Sequence, residues 1–358
     1  MTGHEEKSLA NALAAIGADE EMRVRFVTLL RQAEVRLARL DFDVREAVTG
    51  PIVDALHHGV GQMHKRLASG VDFHFHYRSK IAREFVLAPD SQPDHVWEPQ
   101  TTRLLLELSR QARHVVVGGA YSGDQAVLVA RQIRGQGGIV HCFEPNDDQL
   151  AMLKLNASVN GLDNLKFNRL GLWDRDRAHL HLVGEDSFAH PEPAEAGSEG
   201  SFDTITIDSY GRIEHAERLD LIMLDIEGAE LPALHGAERY LAQPSGVAPH
   251  LIFEVHRHYV DWSRGLDNTE ICQYLGGLGY HLFAVRDYQS NVPMGNQPIE
   301  LVRPDETYLD GPPHGFNMLA VKDTAVLANP TFRFVSGVSP KLLKHRDPKL
   351  HQPLAGAA

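Results

Sequence analysis

A chain of 358 residues with 43% apolar side chains is long enough to bury one large domain and an extension. Its 35 basic and 48 acidic residues leave a formal charge of −13, which argues against a polyanionic partner, whether nucleic acid or anionic membrane. Two cysteines, Cys142 and Cys272, make neither a disulfide framework nor a zinc ribbon; they read as small buried hydrophobes of a reduced, cytoplasmic protein. No apolar run reaches the roughly 18 residues of a membrane span, and the polar start from Met1 to Lys7 does not look like a signal peptide.

Residues 1–92 read as a mainly helical extension. Phe26, Leu30, Ala33, Leu37 and Leu40 recur at helical spacing, a stripe that packs on the same chain or forms a homodimer seam. Gly50-Pro51 is expected to break the pattern, with a second helix over Ile52–Leu67. In the segment VDFHFHY, His74 and His76 share one side of a short strand, and Arg78, Lys80 and Arg83 follow as candidate parts of a lid. That histidine pair reads as surface or core edge rather than as a metal site, since nothing near it completes one.

Residues 93–325 alternate short β-branched runs with amphipathic stretches. The runs are 114–117, 138–143, 165–170, 219–224, 251–255, 281–285 and 317–321; helices are expected over 102–111, 124–134, 147–160, 229–241 and 268–277. This alternation predicts an α/β, doubly wound, mostly parallel seven-stranded sheet covered on both faces. Residues 184–203, rich in Gly, Pro, Ser and Glu, read as a mobile loop, and 326–358 as a basic tail with no assigned role.

In such sheets ligands bind beyond the carboxyl ends of the strands. The first strand runs into a glycine-rich turn, VVVGGAYSGDQ, in which Gly118, Gly119 and Gly123 permit a tight turn and close approach of backbone to a ligand. The second strand ends at Glu144, whose carboxylate can accept both hydrogens of a ribose diol. The turn is not G-x-G-x-x-G and no phosphate-directed Lys follows it, so a phosphate-free adenosine ligand, S-adenosylmethionine, suits it better than NAD.

With the blocks WEPQTTRLL, VVVGGAYSG, VHCFEPNDDQLAMLKLNASVNGLDN, GLWD, ITIDSY, LDLIMLDIEGAELPALHGA, LIFEVH and FNMLAV in this order, the chain resembles the FkbM-type methyltransferase family, a branch of the class I methyltransferases, over residues 95–322. The resemblance implies a Rossmann-like methyltransferase fold. Gly119, Ala120, Tyr121 and Gly123 would line the methionine end of S-adenosylmethionine, and Glu144 would hold the ribose. Pro145, Asn146, Leu172 and Asp174 would flank the adenine, and Asp225 would sit near the sulfonium. The chain departs from the family pattern at Val117, where an acid is usual, at Tyr121, where Asn is usual, and at Met223, where Lys is common. Asp124 and Glu98 are candidate replacements for the missing acid.

Two strand ends carry groups suited to methyl transfer, Asp225-Ile226-Glu227 and Glu254-Val255-His256. His256 is the expected general base, its free pKa lying near neutrality. Glu227 is expected to orient the acceptor or His256, while Asp225 and Glu254 are candidate ligands of a divalent cation. Glu230 reads as a first-turn acid of the next helix. Tyr259 and Trp262 suit stacking on a sugar face. The expected activity is O-methylation of a sugar hydroxyl or similar group on a small-molecule or glycan acceptor. The alternatives are N- or carboxyl-methylation and a cofactor-binding module without catalysis.

Overall fold

Two helices open the chain, α1 (Gly3–Gly17) and α2 (Glu20–Leu37), and Asp19 caps the second by accepting the Met22 N–H. The computed structural model describes residues 3–40, 42–184, 189–195, 197–309 and 315–342. Val27 is the buried residue of α2 and packs with Val53 and Leu87. Leu37 and Leu40 are each 39% exposed, so the expected apolar stripe is only half covered. A π-helical turn, Arg45–Thr49, leads into α3 (Gly50–Leu56). Gly50-Pro51 therefore starts a helix instead of breaking one, because Pro is tolerated in the first turn, where its missing N–H has no partner.

The second expected helix stops at Leu56. Residues beyond it form an antiparallel hairpin, β1 (Gln62–Arg66) and β2 (Asp72–His76), since the period-two pattern turns Phe73 and Phe75 inward. Helices α4 (Lys80–Val86) and α5 (Pro99–Ser109) follow. The catalytic unit then runs β3 (His114–Gly118), α6 (Ala126–Ile133), β4 (Ile139–Phe143), α7 (Asp147–Val159), β5 (Leu165–Asn168), β6 (Gly171–Leu172), β7 (His179–Val183), β8 (His190–Pro193), β9 (Ser201–Ile205), α8 (Ile207–Ile213) and β10 (Leu221–Leu224). It continues through α9 (Glu230–His235), α10 (Glu238–Leu241), β11 (His250–Val255), α11 (Glu270–Gly277), β12 (His281–Tyr288), β13 (Ile299–Val302), β14 (Phe316–Val321), β15 (Phe332–Val335) and β16 (Lys341–Leu342).

The main sheet is 10-stranded, in the order β15-β13-β12-β14-β11-β10-β3-β4-β5 with β16 beside β12. The seven strands read from sequence are β3, β4, β5, β10, β11, β12 and β14. The sheet adds β13, β15 and β16, and the last two lie beyond residue 325, in the stretch expected as a tail. Residues 343–358 of that tail lie outside the described residues. β5, β4, β3, β10 and β11 are mutually parallel, and β14 is antiparallel to both its neighbours. The fold is thus Rossmann-like: doubly wound, mostly parallel, with helices at the N-terminus. Strand alternation splits the core in two. Val115, Val117 and Met223 face the side of α5, α6 and α7, while Val116, Ile222, Leu224 and Phe253 face the side of α8 to α11.

The loop expected over 184–203 is largely sheet. β7 and β8 pair antiparallel, β9 pairs with β7 and β6, and residues 185–188 and 196 are outside the described residues. The N-terminal hairpin is held to the catalytic unit by two amides one turn apart on α7. Asn156 Oδ1 accepts from His74 N (2.7 Å) and its Nδ2 donates to His74 O (2.9 Å). Asn160 makes the same pair with Asp72 (2.8 and 2.9 Å). These side chains satisfy the edge of β2 as a neighbouring strand would, and they carry α4 over the end of β3.

A polar chain runs through the core below the sheet rim. His141 on β4 is 1% exposed; it meets His114 at 3.1 Å and the Tyr210 hydroxyl at 3.1 Å. Burial, with His114 beside it, pushes the His141 pKa from 6.5 down to about 4. The unfolded chain therefore binds the extra proton first. This site's contribution is intact above pH about 6.5 and is lost as the pH falls towards 4, by up to ~3 kcal/mol. Denaturant unfolding at pH 7 and pH 4.5 should show this loss, and His141→Gln should flatten the difference.

Candidate active site

The order of strands reverses between β3 and β10, and a deep cleft opens there at the carboxyl ends. Its floor is the turn after β3. Gly119 and Ala120 both donate their N–H to Phe143 O at 3.0 Å, lashing the turn to β4. Gly119 has φ +71, and a Cβ there would lie 1.8 Å from the Asp225 carbonyl oxygen. Tyr121 is left-handed at φ 44, a conformation that Asn adopts more readily and that Tyr holds here because its N–H is tied down. That tie is Glu144: Oε2 accepts from Tyr121 N (2.9 Å) and Oε1 from Asn146 N (2.9 Å). The carboxylate lines the cleft, and both of its oxygens take part in holding the turn.

Of the residues expected at the cofactor, Gly119, Ala120, Tyr121, Glu144, Pro145, Asn146, Leu172 and Asp225 line this cleft. Asn146 spends its side chain on capping α7, accepting from Asp148 N and Gln149 N. Gly123 and Asp174 are not in the lining. Gly123, at φ +90, is where α7 comes closest to the turn, and a Cβ would meet Leu153 at 2.5 Å. Asp174 is exposed and pairs with Arg175 at 2.8 Å. The small sheet adds Leu180, Leu182, Pro191 and Phe202 as an apolar wall next to Leu172, which the reading of 184–203 as loop did not foresee.

Across the cleft stands a group of acids. One oxygen each from Asp225, Glu227 and Glu254 lies within 4.8 Å of the others, the geometry of an oxygen-donor cation site. Burial raises the pKa of all three, and their mutual repulsion raises those of Glu227 and Glu254 further. Glu227 is left-handed at φ 50, in the turn that Glu230 closes by accepting from Ile226 N (2.9 Å) and Gly228 N (3.0 Å). Asp124 and Glu98, the candidates for the missing acid, also line the cleft. Burial pushes Asp124 up to about 7, and pushes Glu98 upward too. Glu98 accepts from Asn317 Nδ2 at 2.8 Å, and Asn317 is the register partner of Glu254.

His256 sits in the lining at the end of β11. Its ring stacks on His258 (centroids 4.8 Å apart), and its Nδ1 accepts from His258 N at 3.2 Å. A neutral imidazole that accepts at Nδ1 carries its proton on Nε2, so it is a hydrogen-bond donor there. Trp262 packs on Phe316 (5.6 Å) and Tyr259 covers Gly228; neither lines the cleft. The aromatics that do are Trp97, Tyr121, Phe143, Trp173 and Phe202, and Lys80, Ile81 of α4 and Gln289 also line it. His74 faces Gln62 Nε2 (2.9 Å) and His64 across its hairpin; among the described residues the one candidate metal group is Asp225, Glu227 and Glu254.

Sequence reasoning missed Lys341. It is 5% exposed, and the carboxylates of Glu98, Glu254 and Asp287 act on its ammonium. No motif signals it, because a short strand after a long excursion has no local pattern. For the turn, Gly119→Ala should lower stability by at least ~1 kcal/mol. It should also abolish ligand binding in the cleft, measured by thermal unfolding and calorimetry.

The family model described as Methyltransferase FkbM domain matches residues 118–282, from the end of β3 into β12. Among solved structures, an O-methyltransferase from Bacillus cereus in complex with SAH is 16% identical, with 62% of this chain and 80% of that one covered at a TM-score of 0.33. An rRNA methylase from Streptococcus thermophilus is 14% identical (62% and 93% covered, TM-score 0.34). An O-methyltransferase from Streptomyces achromogenes involved in tomaymycin synthesis, in complex with SAM, is 10% identical (63% and 79% covered, TM-score 0.32). No curated protein matches in sequence. No helix among the described residues is long and apolar enough to cross a membrane. Over residues 118–282, on the sheet that forms this cleft, the chain matches the methyltransferase FkbM domain.

Proposed function

We propose that the protein is an S-adenosylmethionine-dependent O-methyltransferase acting on a hydroxyl of a sugar or similar group, on a glycan or natural product. The observation that carries this reading is the Glu144 carboxylate, tied to the Tyr121 and Asn146 N–H groups at the mouth of a phosphate-free glycine turn. Such a carboxylate fits a ribose diol, and the facing acids fit a positive sulfonium. S-adenosylmethionine supplies an electrophilic methyl group for in-line attack. The apolar wall of Leu172, Leu180 and Phe202 suits the adenine. Of the two candidates for the acid absent at Val117, Asp124, which lies in the turn region itself, takes that role. Both cysteines are free and buried, which fits a reduced, cytoplasmic setting.

At the acceptor end His256 donates to the substrate oxygen and Glu227 takes its proton. Burial and the neighbouring acids raise the Glu227 pKa to about 8, which makes its deprotonated form a stronger base than an ordinary carboxylate. A second reading has Asp225, Glu227 and Glu254 holding a divalent cation that acidifies the hydroxyl, supported by the approach of their oxygens to within 4.8 Å.

Calorimetry should detect S-adenosylhomocysteine binding, and Glu144→Ala should weaken it at least tenfold, or ~1.4 kcal/mol. Absence of binding to the unaltered protein would sink the proposal. Labelled S-adenosylmethionine and fractionated cell extract, with and without chelator, should identify the acceptor; loss of transfer with chelator selects the cation reading. Binding without transfer to any fraction points to a module without catalysis, and label on nitrogen or carboxylate to the other transferases. Glu227→Gln should lower transfer by ~10²–10⁴, while His256→Gln, which keeps a donor, should cost much less.

A further inference from the structure

The last described strand returns to the end of β12, next to the segment that carries Gln289 of the cleft lining. Gly337 N donates to Glu306 O (2.8 Å), Tyr308 N to Val338 O (3.0 Å), and Arg286 Nε to Ser339 O (2.9 Å). Asp287 N donates to Pro340 O (2.9 Å), and β16 then pairs in parallel with the end of β12, with Asp287 opposite Lys341. These bonds make residues 337–342 a strap across the sheet. The strap delivers one buried cation into a region of buried acids.

Those acids form one connected structure. Asp287 accepts from Gln100 N (3.0 Å) and Thr101 N (2.7 Å), capping α5. Glu98 precedes α5, is left-handed at φ 45, and is bonded to Asn317, which pairs in register with Glu254. Glu98, Glu254 and Asp287 act together on Lys341, which in turn acts on Asp225. Glu98 and Glu254 line the cleft, whereas Lys341, 5% exposed, is not among the lining residues. Without it, the repulsion among these acids would drive the two cleft-lining carboxylates apart or out of line.

We propose that Lys341, carried in by the C-terminal strap, is a positioning residue for methyl transfer, its ammonium holding the Glu98 and Glu254 carboxylates at the acceptor end of the cleft. This rests on the transferase reading above, which S-adenosylhomocysteine binding and label transfer by the unaltered protein test separately. The strand is then part of the active site, and truncation before residue 341 removes a working group as well as a sheet edge.

The test compares the full-length protein with Lys341→Ala and Lys341→Arg, using labelled S-adenosylmethionine and the acceptor fraction found above. Unfolding temperature and S-adenosylhomocysteine affinity are measured alongside. Folded Lys341→Ala should bind S-adenosylhomocysteine within about threefold of the parent and lose at least tenfold in transfer. Added methylammonium should restore part of that transfer saturably without stimulating the parent, a response that a merely structural lysine does not give. Transfer by Lys341→Ala within twofold of the parent, or a loss that methylammonium leaves unchanged, overturns the proposal. If the alanine variant does not fold, Lys341→Arg decides. Retention of at least a third of the transfer supports a positioning charge, and loss of transfer in the folded arginine variant overturns it.

Discussion

Everything at the cleft depends on one carboxylate that bridges two chain segments. Glu144 receives the Tyr121 N–H on one oxygen and the Asn146 N–H on the other. It therefore fixes the turn after β3 against the start of α7. With Gly119 and Ala120 bonded to Phe143 O, the turn has no freedom to drift. That rigidity lets Tyr121 remain left-handed without the steric licence of glycine. It also leaves the carboxylate oriented in advance for whatever hydroxyls enter, so little ordering is needed when they arrive.

Opposite this anchor lies the reverse arrangement: acids held close to one another with little water. Burial, and after it their mutual repulsion, raises the pKa of Glu227 to about 8 and that of Glu254 well above the ordinary carboxylate value. The fold tolerates this because backbone and amide donors share the load. Glu230 is stabilised by two N–H groups, Asp287 by the N-terminus of α5, and Glu98 by Asn317. Lys341 adds the compensating charge. The acid region is thus joined to β14, to the strap and to the start of α5, elements from both ends of the chain.

The N-terminal extension has a comparable double role. Asn156 and Asn160 clamp β2 to α7, and the chain leaving β2 runs into α4, which sets Lys80 and Ile81 at the cleft. Behind α4, Arg45 bonds Glu84 and Glu34 in the interior, tying the helical turns to that same segment. The extension is a wall of the site, held by side-chain amides and a buried ion pair.

Much of this was legible in sequence because it is local. Strand alternation in VVV and LIML, the glycines after β3 and the acid closing β4 each depend on a few neighbouring residues, and they located the sheet, its crevice and Glu144. What was misread is also informative. GPIVDAL and QMHKR look alike to a helical template, and only packing of Phe73 and Phe75 against α4 separates helix from hairpin. Residues 184–203 have a loop's composition, yet they form strands because Leu180 and Phe202 find an apolar neighbour across the cleft. His256 as a residue was visible, but not its proton: the tautomer depends on the His258 N–H, a matter of backbone geometry. Lys341 was invisible, since its role comes from acids far away in the chain. Sequence alone thus determined the parallel strands, the turn and the carboxylate that follows β4, whose signals are short-range. Tertiary structure alone decided which acids share a space and which cation offsets them, because electrostatic energy depends on distance through space and not along the chain.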